Sequence, residues 1–208
     1  APGGEPATVL ILGGGVVGEN AAIIATGMKA KVHIVDKSEL RLKQLVEMFG
    51  DKIIPEQSDK TDLDKLVAEA DLLVGGVLIP GAEAPKLITK EMIKTMKRGS
   101  VIVDVAIDQG GCFETSKATT HDSPTYLYEN IVHYCVANMP GAVAKTSAFA
   151  LNNVTLPFVL NLADKGLKEA SYDNSHLRQG LNIHAGKLTC SAVAKAQNKQ
   201  FIPVLEAI

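Results

Sequence analysis

Residues 8–36 of this chain read TVLILGGGVVGENAAIIATGMKAKVHIVD. The first five are a short apolar run of the kind that forms a buried parallel strand. Three glycines follow at once, then a helical pattern to about Met28, then a second apolar strand at 32–36 that ends in a carboxylate. This order predicts a β-α-β unit in which a glycine turn joins the first strand to the helix.

The glycines of this turn have the spacing Gly-x-Gly-x-x-Gly, formed by Gly13, Gly15 and Gly18. Between a strand and a helix, with an acid roughly 20 residues on, this spacing is typical of a dinucleotide site. We expect Gly13 to permit the tight turn, Gly15 to let the backbone approach a pyrophosphate, and Gly18 to allow close packing of helix and strand. The helix N-terminus adds unpaired N–H groups for the phosphates. The alternative is a glycine-rich turn that binds nothing.

Asp36, at the end of the second strand, indicates which dinucleotide fits. Its carboxylate can accept hydrogen bonds from the adenosine ribose, and it would repel the 2′-phosphate that distinguishes NADP from NAD. Lys37, the next residue, weakens that discrimination because it places a positive charge beside the carboxylate. The sequence therefore favours NAD as the cofactor.

The chain up to residue 145 goes on alternating short apolar runs with helical patterns. Further strands are predicted at 52–54, 71–75, 101–104 and 131–136. Pro55 should end the strand at 52–54. The helix after the glycine turn should direct an apolar face that includes Ile24 and Met28 toward the sheet. The stretch from 113 to about 126 is predicted to be irregular. Together these elements indicate an α/β fold of the Rossmann type, a doubly wound parallel sheet.

The character of the chain changes near residue 146. We therefore divide it into an NAD-binding Rossmann domain at 1–145 and a C-terminal helical segment at 146–208. The segment starts with a predicted helix that Gly166 should close, and Pro157 should either kink this helix or start a new turn. Such helices suit packing toward a second, substrate domain that is largely missing from this chain. The first residues, APGGEPA, lack an initiator Met and read as a linker, so both a processed product and a fragment fit.

Composition excludes several classes of function. A net charge of −2 with dispersed charges provides no basic surface for nucleic acid, and aromatic residues are only 4% of the chain. No apolar run reaches the ~18 residues that a membrane span requires. Cys112, Cys135 and Cys190 are far apart, which is typical of a reducing compartment rather than of a disulfide framework or a zinc site. We expect no nucleic acid, no membrane and no metal.

Asp108 is the strongest candidate for chemistry. It follows the strand at 101–104 and precedes Gly110 and Gly111. It should therefore project into the crevice at the carboxyl ends of the strands, where a nicotinamide and its substrate would meet. There a carboxylate can bind a ribose hydroxyl or a substrate amino group; the alternative is an Asp that caps its own turn. No complete set of acid–base and carboxylate-binding groups for a dehydrogenase is visible.

Several stretches of the chain resemble alanine dehydrogenase, namely DVAIDQGGCFETS at 104–116, YCVANMPG at 134–141, GGVLIPGA at 75–82, residues 146–157 and the glycine turn. The resemblance is to the C-terminal, NAD-binding portion of that family and extends along essentially the whole chain. It implies the reversible, NAD-dependent oxidative deamination of L-alanine to pyruvate and ammonia. It also implies a homo-oligomer, a hexamer at full length, in the cytoplasm.

The resemblance further implies contacts for the cofactor. At the adenosine end these are Val16 and Val17 at the pyrophosphate, Asp36, Arg41 and Ser58 at the ribose, and Val77 and Leu78 at the adenine. At the nicotinamide end they are Ile107, Asp108, Val136, Ala137, Asn138 and Met139. Asp108 would be the catalytic acid. Lys117 stands where the family often has Arg, so a weaker electrostatic contact with the cofactor is expected there.

The same resemblance implies what the chain lacks. In the family, an N-terminal substrate domain carries the catalytic His and Lys and the carboxylate-binding Arg, and this chain begins after it. We therefore expect a chain that binds NAD but does not deaminate alanine alone. The alternatives are the NAD-binding component of a proton-translocating transhydrogenase and a nucleotide-sensing domain without catalysis. Residues 108–112 favour the dehydrogenase.

Overall fold

The computed structural model describes residues 3–77 and 84–208. Leu78, one of the two residues expected at the adenine, lies outside the described residues. The chain divides into two compact units, which within the described residues comprise 3–77 with 84–139, and 140–208.

The first unit is built on a sheet that has seven strands within the described residues. In chain order the strands are β1 (Thr8–Leu12), β2 (Lys31–Asp36), β3 (Ile53–Gln57), β4 (Leu72–Gly75), β5 (Val101–Asp104), β6 (Thr125–Tyr128) and β7 (Ile131–Tyr134). They lie in the order β3-β2-β1-β4-β5-β7-β6, and neighbours are parallel except β6 and β7. The direction of winding reverses at β1, as in a doubly wound sheet. The predicted α/β Rossmann-type fold is confirmed.

Helices connect these strands and cover both faces of the sheet. They are α1 (Val16–Gly27), α2 (Glu39–Phe49), α3 (Leu63–Glu69) and α4 (Lys90–Lys94), with short 3-10 helices at Gly50–Lys52 and Val105–Gln109. The side chains of Ser38, Asp62 and Thr89 cap α2, α3 and α4 by accepting a hydrogen bond from a backbone N–H three residues on.

The core lies on both faces because successive side chains of a strand point to opposite sides. Leu10 and Leu12 of β1 join one buried cluster, together with residues of α3 and α4 and with Phe113. Val9 and Ile11 of the same strand join the other cluster, together with residues of α1 and α2. β1 is therefore the central strand on which both halves of the unit pack.

Two predictions about the edges of the sheet are wrong. The strand β3 does not end at Pro55 but continues to Gln57. It is an edge strand, where a proline without an N–H is tolerated because no further strand needs that donor. The other error is β6, which starts within the end of the stretch predicted to be irregular and pairs antiparallel with β7.

The first helix packs through small residues, so of the apolar face predicted for it the alanines pack on the core while Ile24 and Met28 do not. Gly18, Ala22 and Ala25 are its buried residues. Ile24 and Met28 are 65% and 79% exposed. Small residues let the helix approach the strands closely, so the bulkier side chains of the same helix lie on its outer side.

The second unit consists mainly of helices. Its elements are α5 (Ala144–Asp173), α6 (Ser175–Gly180), β8 (Ile183–His184), β9 (Lys187–Leu188), α7 (Ser191–Ala196) and α8 (Val204–Ala207). Helical angles continue through Pro157, so no new helix starts there, and they break at Gly166, where φ is 71°. None of the helices in the described part of the chain is long and apolar enough to cross a membrane.

Candidate functional site

The glycine turn follows β1 and leads directly into α1. Gly13 has φ +94°, in the left-handed region that favours glycine, and a Cβ there would lie 3.0 Å from the carbonyl oxygen of Gly76. A Cβ on Gly18 would lie 1.9 Å from the carbonyl oxygen of Gly13. Both positions therefore exclude a larger residue unless the backbone shifts.

Gly15 differs from the other two because the place of its missing Cβ is open. It is the N-cap of α1 and has extended backbone angles, φ −68° and ψ −163°. A Cβ there would meet no atom of the described residues within 4 Å. The amides of the first helical turn and the partial positive charge of the helix N-terminus favour an anion in front of this position. The turn can therefore hold a phosphate group.

Asp36 closes the turn from the end of β2. Its Oδ2 accepts a hydrogen bond from the Gly14 amide at 2.7 Å, and its Oδ1 accepts one from the Ser38 amide at 2.8 Å. The carboxylate is half-buried, and since it offers about four lone pairs, each oxygen keeps a site for a hydroxyl donor. The amide of Ser58 donates to the backbone carbonyl of Asp36 at 3.1 Å. The structure thus brings Ser58 to the backbone of Asp36 at the end of β2.

Arg41 holds the same turn from α2. Its Nε donates to the carbonyl oxygen of Gly14 at 2.6 Å, and its Nη1 donates to Gln44 Oε1 at 3.3 Å. Its Nη2 forms an ion pair with the carboxylate of Glu19, in the first turn of α1. The side chains of Arg41 and Glu19 are 26% and 27% exposed, so solvent screens this pair less than it would an open surface pair.

The carboxyl ends of the parallel strands bring the remaining predicted residues to the same edge of the sheet. Leu12 lies opposite Gly75, and Gly75 lies opposite Asp104, so β1, β4 and β5 end in one row. Val77, two residues past β4, packs on the glycine turn: its Cγ2 would lie 3.1 Å from a Cβ on Gly13. A side chain expected at the adenine is therefore in contact with the turn expected at the pyrophosphate.

Asp108 lies in the 3-10 helix that follows β5, where it is exposed while its neighbour Ile107 is buried. This helix ends at Gly110, whose amide donates to the carbonyl of Ile107 at 3.0 Å. The amide of Gly111 donates to the carbonyl of Ala106 at 3.1 Å. Because backbone carbonyls accept from these amides, the Asp108 carboxylate is not the cap of its own turn.

The carboxylate of Asp104 lies beneath this turn and is fully buried. It accepts hydrogen bonds from the amides of Ala106 at 3.1 Å and Cys112 at 2.8 Å, and from the hydroxyl of Ser116. A Cβ on Gly111 would lie 2.5 Å from Asp104 Oδ2. Burial raises the pKa of the Asp104 carboxyl above its ordinary value, against the opposing effect of these hydrogen bonds.

Lys86 holds the same turn from the surface. Its ammonium group donates to the carbonyl oxygen of Gly111 at 2.9 Å and also to that of Gly110. The amide of Ala84 donates to the carbonyl of Gln109 at 2.8 Å. The turn that carries Asp108 is therefore held by a buried carboxylate on one side and by a cation on the other.

Residues 136–139 leave β7 at the same edge and are held by the segment before β6. The amide of Ala137 donates to the carbonyl of Thr119 at 3.1 Å. The carbonyl oxygen of Asn138 lies 3.0 Å from His121 Nε2, and Asn138 has a positive φ of 58°. Met139 begins a short 3-10 helix, Met139–Val143.

Lys117 is placed by the hairpin of β6 and β7. Its amide donates to the hydroxyl of Tyr126 at 3.0 Å, and that hydroxyl donates to the carbonyl of Thr115 at 2.7 Å. The Tyr126 ring stacks on His133 with ring centres 4.9 Å apart. Burial raises the pKa of Tyr126, so the hydroxyl stays a neutral donor. The backbone at Lys117 is thus fixed, while its side chain is exposed.

Cys112 is the thiol nearest to these turns. It is buried, unpaired, and 3.6 Å from the carbonyl oxygen of Val77. Burial, with a contribution from Asp104, raises the pKa of the Cys112 thiol to about 11. A thiol of that pKa is protonated at neutral pH and is a poor nucleophile.

A family model described as "Alanine dehydrogenase/PNT, C-terminal domain" matches residues 1–191. The chain belongs to this family. It is 55% identical over 207 residues to the alanine dehydrogenase of Halomonas elongata, a match that covers 100% of this chain and 56% of that protein. The chain thus spans about half the length of the curated relatives it matches. The resemblance to alanine dehydrogenase read from the sequence is confirmed.

Solved structures agree with this membership. An L-alanine dehydrogenase has a TM-score of 0.85 at 48% identity and covers 95% of this chain and 55% of its own. The transhydrogenase from Sinorhizobium meliloti shares the fold, with a TM-score of 0.72 at 23% identity over 89% of this chain and 53% of its own.

Within this alanine dehydrogenase/PNT domain, sequence reasoning missed three residues that hold the two turns. Glu19 carries a weak signal, as a charged residue directly after the last glycine. Asp104 stands at the end of a strand, as Asp36 does, and that parallel was enough to find it. Lys86 carries no signal, because its partners are backbone carbonyls 24 and 25 residues away.

Proposed function

We propose that this chain is the NAD-binding part of an L-alanine dehydrogenase, which carries out the reversible oxidative deamination of L-alanine to pyruvate and ammonia. The observation that carries the proposal is 55% identity to an alanine dehydrogenase along the whole chain. The open position at Gly15 supports it, because a bound pyrophosphate needs free space in front of the turn. Since the chain spans 56% of that relative, the deamination belongs to the protein that contains it.

The adenosine half of NAD fits the turn between β1 and α1. The backbone at Gly15 and the exposed Val16 and Val17 would contact the pyrophosphate at the helix N-terminus. Asp36 would accept hydrogen bonds from the ribose hydroxyls through the lone pairs that Gly14 and Ser38 leave free. The remaining proposed contacts of this half are Arg41, Ser58, Val77 and Leu78.

The nicotinamide half would lie at the turns after β5 and β7. When bound, NAD supplies the acceptor for a hydride. Asp108 is the proposed catalytic acid, a role that requires its carboxyl group within hydrogen-bond reach of the substrate amino group. The other proposed contacts are Ile107, Lys117, Val136, Ala137, Asn138 and Met139.

The assembly proposed for the full-length protein is a homohexamer in the cytoplasm. This part rests on the resemblance to alanine dehydrogenases. Light scattering coupled to size-exclusion chromatography of the full-length protein measures the mass, and a mass of one or two chains would contradict it.

Titration of the 208-residue chain with NADH, followed by NADH fluorescence, tests the cofactor. We expect saturable binding that Gly15→Ala abolishes, because the added methyl group fills the space of the pyrophosphate. The variant should melt like the wild type, since the methyl group meets no protein atom among the described residues. Absence of saturable binding to the folded wild-type chain would overturn the proposal.

Formation of NADH from NAD and L-alanine, catalysed by the full-length protein, tests the reaction. We expect turnover, and we expect Asp108→Asn to lower kcat about a hundredfold or more, the usual scale for losing a general acid. Hydride transfer to a partner protein without turnover of alanine would identify a transhydrogenase component instead. NADH binding with neither reaction would identify a sensing domain.

A further inference from the structure

The ion pair between Glu19 and Arg41 lies where NAD and NADP would differ. NADP differs from NAD by a phosphate on the adenosine ribose. That ribose is the part of the cofactor proposed above to bind Asp36. A Cβ built on Gly14 would lie 3.3 Å from Asp36 Oδ2 and 3.5 Å from Arg41 Cγ. The stem of the arginine and the ribose-binding carboxylate therefore flank the same residue.

Arginine is the residue type best suited to bind a 2′-phosphate, because its planar fork donates two parallel hydrogen bonds. In this structure the fork is occupied on three sides. Its Nε donates to the Gly14 carbonyl at 2.6 Å, Nη1 to Gln44 at 3.3 Å, and Nη2 to the Glu19 carboxylate. The hydrogen bond to Gly14 keeps the Arg41 side chain beside the turn, and the ion pair with Glu19 neutralises its charge.

The position of Glu19 explains why it holds this cation. It lies in the first turn of α1, where a carboxylate is favoured by the helix dipole, and its side chain is only 27% exposed. The carboxylate of Glu19 is thus held near the turn and is only partly exposed to solvent. Arg41 contacts Gly14 and Glu19, and Gly14 in turn contacts Asp36, so two carboxylates lie at the same turn.

We propose that Glu19 is a specificity-determining residue for the cofactor: by pairing with Arg41, it withholds that cation from the 2′-phosphate of NADP and so favours NAD. This inference rests on the proposed function, since it presumes that the ribose lies at Asp36. It assigns the discrimination to two carboxylates, one at the end of β2 and one in the first turn of α1.

The test is the ratio of NADPH to NADH affinity of the full 208-residue chain, measured by fluorescence titration. In Glu19→Gln the guanidinium keeps its place but loses its counter-charge, so we expect the ratio to rise about tenfold at low salt. The gain should shrink at high ionic strength, because the new attraction is electrostatic. Glu19→Ala removes the contact as well as the charge and should shift the ratio in the same direction.

The matched control is Glu39→Gln. It removes the same charge from the first turn of α2, where Glu39 pairs with Lys43 and not with Arg41. We expect its ratio to stay within about twofold of the wild type. Adding Arg41→Met to Glu19→Gln should cancel the gain.

Each outcome of this test decides one question. An unchanged ratio in both Glu19 variants overturns the inference, and so does an equal rise in Glu39→Gln, which would show a general effect of net charge. A gain that persists without Arg41 also overturns it. If the wild-type chain binds neither cofactor, the proposed function fails instead, and the two failures are thereby distinguished.

Discussion

Asp36 and Asp104 stand at corresponding places in the sheet and differ in their contact with water. Each ends a parallel strand, and each accepts hydrogen bonds from two backbone amides, one of which lies in or directly after a glycine turn. Asp36 is half-buried and keeps lone pairs for a ligand. Asp104 is fully buried, and the Ser116 hydroxyl joins the two amides on it.

The difference in burial shows that a carboxylate at the end of a strand can either stay available to a ligand or only hold a turn. A carboxylate at the end of a strand can shape a glycine turn in either setting, because the amides of such turns have few other partners. Where water reaches the carboxylate, it can exchange that water for a ribose hydroxyl. Where water is excluded, it can only hold the turn, and the carboxylate exposed to solvent there is that of Asp108, the proposed catalytic acid.

The largest expected effect comes from removing the buried member of the pair. Asp104→Ala leaves the buried amides of Ala106 and Cys112 without their acceptor. We therefore expect the free energy of unfolding to fall by about 3 kcal/mol. Asp36→Ala should cost about 1 kcal/mol, since water reaches the freed amides. Urea denaturation followed by circular dichroism measures both. Equal losses in the two variants would break the comparison.

The next effect separates two glycines of the same turn. Gly18→Ala places a methyl group 1.9 Å from the Gly13 carbonyl oxygen, so we expect a loss of roughly 2–3 kcal/mol of unfolding free energy. Gly15→Ala should change it by less than about 1 kcal/mol while still abolishing NADH binding. Thermal melts and NADH titrations of both variants check this. A Gly18→Ala variant as stable as the wild type would contradict the close contact between Gly18 and the Gly13 carbonyl.

A smaller effect is expected at the surface contact of the Asp108 turn. Lys86→Met removes the ammonium group that donates to the carbonyls of Gly110 and Gly111. Because water can hydrate those carbonyls, we expect stability to fall by only about 1 kcal/mol in urea denaturation. In the full-length protein, kcat should fall more than KM changes, since the turn positions Asp108. A change confined to KM would show that Lys86 does not position Asp108.

The smallest effect is a pH dependence that comes from the buried carboxylate of Asp104. Burial raises the pKa of Asp104 in the folded state above the value of 3.8 that the unfolded chain has. Between these two pKa values the folded state holds a proton that the unfolded state has released, so the free energy of unfolding falls as pH rises. Asp104→Asn lacks this slope. The free energy of unfolding of the wild type minus that of Asp104→Asn, measured by urea denaturation at each pH, should therefore fall from about pH 4 upward. A rise in this difference would contradict the direction of the pKa shift.

Much of the fold and part of the site followed from local pattern. The glycine spacing and the acid ending β2 predicted the turn and its neighbour Asp36, and Gly166 was correctly expected to interrupt the long helix. Pro55 was misjudged because an edge strand does not need the N–H that proline lacks. β6 was missed because it has only four residues and directly follows a polar stretch that contains a proline.

By itself, the sequence determined the β-α-β order, the glycine turn and the carboxylate after β2, since these depend on residues that are neighbours along the chain. Only the tertiary structure decided which groups hold the turns. Arg41 meets Glu19 across 22 residues, and Lys86 meets Gly111 across 25, through contacts that no local spacing encodes. The burial that separates Asp104 from Asp36 likewise exists only once β4, β5 and β7 have packed together, because exclusion of water is a property of the assembled sheet.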